Sequence, residues 1–364
     1  PDLLARLNRI TSPNELYTGA SLIFVENGKP PASGGRVTLA PGQSFLELSA
    51  SHGLNPWQLS AGNAVSSSAS VLPGEVLRLP GEGNTGPSAL PGAVESVNIT
   101  PLPLMQGEAA VITLAADPGL TASGQFGEYP LSFYPYNGEY IAVQGVHAML
   151  EPGLYPLAIS GSLPDGTPFG FTQNVFVRAD QFVYDVPLTV AEETIDPAVT
   201  KPEDQQWKAL TAPQTPEKLW DGKWILPSNL FTQAWCLETL ECFSSRFGNR
   251  RSYNGSDYDF YHTGLDLFGG VGIDILAPAA GEVVFSGFLT VRGNATVINH
   301  GWGVYSAYMH QSEMLVKQGD TVVPGQVIGK IGGTGRVQGP HLHWEILVGG
   351  IPVDPLDWLA QEYP

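Results

Sequence analysis

PHLHWE, residues 340–345, places His341 and His343 on either side of one leucine in a chain with seven histidines. On a helix, residues two apart diverge; on a strand they share a face. Leu342, Trp344 and Ile346 alternate here with His341, His343 and Glu345, and the run closes in Ile346-Leu347-Val348. This alternation predicts a strand with one face against a core and the other presenting two imidazoles, as a metal or proton-transfer site requires. Upstream, YHTGLDLFGG (261–270) holds His262 and Asp266, an even spacing that can put both on one side of an element. Gly264 between them and the β-rich run IDILAPAAGEVVFSG after them favour extended chain. INHGWGVYSAYMH (298–310) reads as a hairpin turning at Asn299-His300-Gly301, with His310 on its second strand. Catalytic zinc takes three protein ligands and keeps a fourth position for water. His262, Asp266 and one member of the 341/343 pair supply two nitrogens and one oxygen. The other member and His310 are then free for proton transfer and transition-state stabilisation, with Glu345 on the same face to orient an imidazole.

These residues need a scaffold, and the composition indicates which kind. With 43 Gly, 31 Pro and only 14% charged residues among 364, the chain suits short strands joined by turns, in two or three domains. A formal charge of −18, from 17 basic and 35 acidic residues, argues against nucleic-acid binding. No basic amphipathic stretch suggests a membrane surface, and no apolar run approaches the ~20 residues of a transmembrane helix. The chain opens at Pro1 without Met or signal peptide, which fits a secreted protein whose targeting segment has been removed. Cys236 and Cys242, in AWCLETLEC, either form one small-loop disulfide in an oxidising compartment or remain two buried thiols.

Along the chain, LNRITSPNELYTGASLIFV (7–25) and AVSSSASVLPGEVLRLP (64–80) end in the same turn-then-strand pattern. Before the second stands a PGQS turn at 41–44 opening one helix and HGLNPWQL at 52–59 opening another, closed by PGEVLRLP. This pattern resembles the LysM module, a small glycan-binding βααβ fold: a partial copy over 1–27 and a fuller one over 36–82. A Pro/Gly linker (79–92) follows. Alternating segments such as AAVITLAA (109–116), YIAVQGV (140–146) and TQNVFVRA (172–179) predict an immunoglobulin-like β-sandwich over 95–190. The polar stretch 191–225 reads as a linker with a short helix, leading into a last domain over 226–364. His52, His147 and His300 read as structural, His300 as a turn residue.

Residues 244–358 resemble the lysostaphin-type zinc metallopeptidases, which cleave peptides of bacterial cell walls. The matching stretches run in family order: SRFGNR (245–250), HTGLDL (262–267), GEVVFSG (281–287), VINHGWGVYSAYMH (297–310), VKQGDTVVPGQVIG (316–329) and GGTGRVQGPHLHWE (332–345). Val337 departs from the pattern, standing where the family often has a small hydroxyl residue. The resemblance implies a C-terminal antiparallel β peptidase domain in a mainly β, multidomain chain. It implies one zinc ion held by His262, Asp266 and His343, with His310 and His341 catalytic. It implies a peptidoglycan endopeptidase acting at the cell envelope or outside the cell, with peptide as substrate and glycan contacts through the LysM-like modules. Two other function classes remain open: a non-catalytic peptidoglycan-binding or amidase-activating protein, and a structural or adhesive surface protein. The front modules would serve targeting, or the acidic 191–225 segment would lie across the groove and donate a carboxylate to the metal.

Overall fold

The structure is a computed structural model that describes residues 36–79, with short gaps in that stretch, and 94–364. The partial module expected over 1–27, and most of the Pro/Gly linker, lie outside the described residues. The chain divides into two compact units. In the first, strands Arg36–Thr38 and Val76–Arg78 pair antiparallel, with helices Phe45–Ser51 and Pro56–Gly62 between them in sequence. Ser44 opens the first helix through a capping box with Glu47, satisfying backbone donors that the helix leaves unpaired. Leu39, Phe45, Leu48, Leu59, Val71 and Leu77 close the small core beneath.

From Val94 to Arg178 the chain is almost all strand. Strands Val94–Thr100, Ala109–Ala116, Glu139–Gly145 and Tyr134–Tyr136 lie side by side in that order in one sheet. Leu104–Met105, Pro168–Arg178, Gly153–Ser162, Thr121–Phe126 and Tyr129–Ser132 make a second.

The second unit, residues 105–109, 143–150 and 180–364, carries the candidate chemistry. Its main sheet uses β1 (Phe243–Ser245), β2 (Leu265–Phe268), β3 (Gly281–Leu289), β4 (Gly293–Gly301), β5 (Val304–Gln311), β6 (Thr321–Val322), β7 (His341–Val348) and β8 (Ile351–Val353). The order across the sheet is β1-β2-β7-β5-β4-β3-β6, with β8 also paired to β7. All the pairings are antiparallel. On β7 the side chains alternate as the sequence indicates: Leu342, Trp344 and Ile346 are fully buried on one face. The polar face is covered as well, since His343 and Glu345 are only 7% and 3% exposed.

One sequence expectation meets a different structure here. The β4–β5 hairpin turns at Trp302-Gly303, both at positive φ (54° and 73°), and not at Asn299-His300-Gly301. His300 is therefore a fully buried strand residue. It hydrogen-bonds the Ala280 carbonyl and Ser306 Oγ, and burial lowers its pKa to about 4. Residues 191–225, read as a linker with a short helix, hold a fifteen-residue helix, Pro197–Thr211. Asp196 caps it, and Trp207 packs with Val297, Tyr305, Ala307 and Leu347 in the core of this unit. Helix propensity in this polar stretch is weak, and it is the buried indole that holds the helix on the sheet.

Candidate metal centre

Strand register brings the donors together. Asp266 on β2 stands directly opposite His343 on β7, and Met309 on β5 stands opposite His343 on its other side. His262 lies just outside β2, its backbone N–H donating to Asn249 and its carbonyl accepting from Gly248. His262 Nε2 is 2.9 Å from Asp266 Oδ1 and 2.8 Å from His343 Nδ1, and the last two atoms are 2.7 Å apart. These spacings approach the ~3.3 Å edge of a tetrahedron with bonds of ~2.0–2.1 Å, the geometry of protein-bound zinc.

The far nitrogen of each imidazole is already occupied. His262 Nδ1 donates to the Arg246 carbonyl at 2.9 Å, and His343 Nε2 donates to Glu345 Oε1 at 3.0 Å. His262 Nε2 therefore turns a lone pair toward Asp266 Oδ1, and His343 Nδ1 does so once its proton is displaced; this convergence of two nitrogens and one carboxylate oxygen suits a divalent cation. Thr263 Oγ1 donates to the same Glu345 oxygen. Burial by itself would lower the pKa of His343, but hydrogen bonds to Asp266 and Glu345 outweigh it and raise the value to about 9. His262 is pushed down to about 4 by burial, against the pull of Asp266. Asp266 stays well below its ordinary value: burial opposes ionisation, but the three surrounding histidines prevail.

His310 and His341 flank this triad. Their rings lie 5.0 Å apart, and His310 is 5.9 Å from His343. His310 reaches the site through a β-bulge: Met309 and His310 together span the gap where Ala295 stands alone on β4, and His310 takes φ +62°. Regular alternation would aim Met309 and His310 at opposite faces. The bulge re-aims the imidazole, a local strain typical of functional positions. His310 Nδ1 donates to the Thr334 carbonyl (2.8 Å) and His341 Nδ1 to the Gly339 carbonyl (2.9 Å), which leaves both Nε2 atoms with free lone pairs. Burial, then the neighbouring His341 and His343, holds the His310 pKa well below the usual imidazole value. His341 is more open, with its Nε2 3.5 Å from Asp266 Oδ1.

An outer layer that no sequence motif announces surrounds the triad. Arg251 donates to Asp266 Oδ2 at 2.8 Å, fixing the second carboxylate oxygen away from the triad. Asp185 holds Arg251 in turn (3.4 Å to Nε) and accepts from Ser245 Oγ and Asn249 Nδ2 at 2.7 Å each. Asp185 belongs to a strap, residues 183–190, joined to 250–254 by backbone hydrogen bonds and by the parallel bridges Tyr184–Arg250 and Leu188–Tyr253. No hydrophobic period marks the strap. Ser245 and Arg251 bracket the quoted SRFGNR stretch, the one available signal. Glu203 and Asp204, in the segment suspected of reaching the metal, instead pair with Arg292. His147 supports the site from behind, its ring edge-on to Tyr261 at 5.4 Å. Cys236 and Cys242 form a disulfide.

Known proteins resemble the chain over the region that holds these residues. The model of Peptidase family M23 matches residues 260–355. The chain is 42% identical over 112 residues to the peptidoglycan DD-endopeptidase ShyC of Vibrio cholerae, covering 31% of this chain and 26% of that protein. It is 43% identical over 95 residues to the DD-carboxypeptidase/endopeptidase Mpg of Neisseria meningitidis, covering 26% of this chain and 22% of that one. The chain thus spans about a quarter of the length of these curated relatives. A crystal structure described as a peptidase M23 from Pseudomonas aeruginosa shares the fold at a TM-score of 0.53. It is 24% identical, and the match covers 72% of this chain and 96% of that one.

Proposed function

We propose that the chain, whose residues 260–355 match the model of Peptidase family M23, is a zinc metalloendopeptidase that hydrolyses peptide bonds in bacterial peptidoglycan, in the stem peptide or the cross-bridge. The observation that carries this reading is the buried convergence of His262 Nε2, Asp266 Oδ1 and His343 Nδ1, with two further histidines turning free nitrogens toward the same place. One zinc ion per chain would be held by His262, Asp266 and His343. When bound, zinc lowers the pKa of a water toward ~7 and polarises a carbonyl.

The chain's own groups do the rest. His341, anchored through Nδ1 and partly open, accepts the proton of the attacking water at Nε2. His310 is neutral at rest, and its Nε2 can donate only once protonated. The proton that His341 takes from the water can pass to His310, whose ring lies 5.0 Å away, and His310 protonated in this way stabilises the oxyanion as it forms. Glu345 holds the tautomer of His343, and Arg251 holds Asp266.

The front of the chain is read as a targeting element. The small unit with two helices between paired strands supports glycan recognition of the LysM kind, and its Trp57 is 79% exposed, as a ring that stacks on sugar needs to be. The strand-rich region 95–190, read as immunoglobulin-like, then serves as a spacer. The relative named as a peptidoglycan DD-endopeptidase supports a place at the cell envelope or outside the cell. Among the described residues no helix is long and apolar enough to cross a membrane. The test is metal analysis: the purified chain binds about one zinc, and His343→Ala loses most of it. Full zinc in that variant refutes the ligand assignment.

A further inference from the structure

Three guanidinium groups gather beside the histidines in a chain whose formal charge is −18. Two are neutralised within the fold: Arg251 by Asp185 and Asp266, and Arg292 by Glu203 and Asp204. The third, Arg336, has no carboxylate within ion-pair distance among the described residues. Among the described residues its guanidinium makes one hydrogen bond, from Nη1 to the Thr194 carbonyl at 3.2 Å. Its guanidinium lies over the Tyr253 ring, 4.3 Å from the centroid.

Arg336 is also well placed. Two cavities flank the histidines, and Arg336 lines both, together with Tyr253, His310 and His343. A stacked guanidinium is held by its face and keeps its edge donors for a ligand, a geometry suited to forked recognition of a carboxylate. The nearest carboxylate to feel this cation, Asp204, is already paired with Arg292. A partly desolvated cation that forms no ion pair of its own is unfavourable, and a substrate that brings a negative charge to it removes that penalty.

We propose that Arg336 binds a free carboxylate on the peptide substrate, carried by the residue that flanks the scissile amide. The inference rests on the peptidase reading above and narrows it: the preferred substrate is a peptide with an anionic group next to the cleaved bond, and Arg336 is a specificity-determining residue.

The experiment uses the zinc-loaded full chain and two synthetic cell-wall-type peptides that differ only in a carboxylate or a carboxamide on the flanking residue. The wild type is expected to prefer the carboxylate at least tenfold in kcat/KM. Arg336→Gln brings that ratio near one, chiefly by losing rate on the carboxylate peptide. Arg336→Lys, which keeps the charge but not the fork, gives an intermediate ratio. A merely structural role would slow both peptides alike and leave the ratio in place, which is why the ratio, read on variants with wild-type zinc content, is the measure. A wild type that does not discriminate, or variants that keep its ratio, overturns the assignment and leaves the peptidase reading standing. A wild type that cleaves neither peptide nor peptidoglycan overturns the peptidase reading and this proposal together.

Discussion

Glu345→Gln isolates the outer carboxylate from the metal site at nearly constant volume. Glu345 is 3% exposed and accepts from His343 Nε2 at 3.0 Å. Two effects oppose each other in the variant. Losing the charged acceptor loosens the His343 tautomer that presents Nδ1 to the metal, and partners of this kind change metal affinity by ~10–100-fold. That corresponds to about 1.4–2.8 kcal/mol. On the other side, Glu345 helps Asp266 raise His343 to about 9 against burial. Below that pH a metal must displace a proton, a competition worth about 1.4 kcal/mol per unit. The variant relieves part of this competition. The affinity loss is therefore fullest above pH 9, where His343 is unprotonated with or without Glu345, and shrinks toward pH 6. Zinc competition against a chromophoric chelator at both ends of this range reads the effect directly. Unchanged affinity above pH 9, or a loss that grows on acidification, refutes the reasoning.

Three further outcomes follow from named contacts. His341→Ala keeps its zinc but loses ~10²–10⁴-fold in peptide hydrolysis, because it removes a proton acceptor and no ligand; loss of metal instead would mean that the two members of the pair have exchanged roles. Metal binding near pH 6 releases about one proton, from His343 (about 9), because His262 (about 4) is already neutral and Asp266 already ionised; calorimetry in buffers of different ionisation enthalpy counts it, and a count near zero contradicts the ligand set. Asp357 is raised to about 7 by burial and then by Asp354, Glu108 and Asp180, and Asp354 is raised to about 6, mainly by burial. Folded-state values above the unfolded ones mean stability that is present below about pH 4 and lost as pH rises toward 7. Asp357→Asn should then gain on the order of 1–2 kcal/mol at pH 8, discounted for partial exposure, and little near pH 4, as thermal melts at the two values will show.

Much of the site was legible because strand periodicity carries side-chain direction. Alternation in PHLHWE put His341, His343 and Glu345 on one face, and donor chemistry then selected His262 and Asp266 as partners. What remained hidden depended on irregular backbone or on distance. His310 was expected on a strand, but its aim toward the site depends on a bulge, and no residue type announces the extra residue. The β4–β5 turn was misplaced because Asn299-His300-Gly301 has turn-forming residues, whereas the observed turn forces Trp302 to a positive φ (54°). Asp185 and Arg251 meet across a span where neither segment has a readable period, so only the folded chain shows their pairing. The helix Pro197–Thr211 is polar in sequence, and its role is set by one residue, Trp207.

On the function proposed above, this chain cuts amide bonds in peptidoglycan peptides by means of zinc held at His262, Asp266 and His343. The most direct measurement is digestion of purified peptidoglycan by the zinc-loaded chain, with the released fragments identified by mass. The expected products are peptide fragments carrying new amino and carboxyl ends, lost on chelation, restored by zinc and absent with His343→Ala. Intact peptides after digestion by the zinc-loaded chain, or cleavage that persists in the metal-free protein, would contradict it.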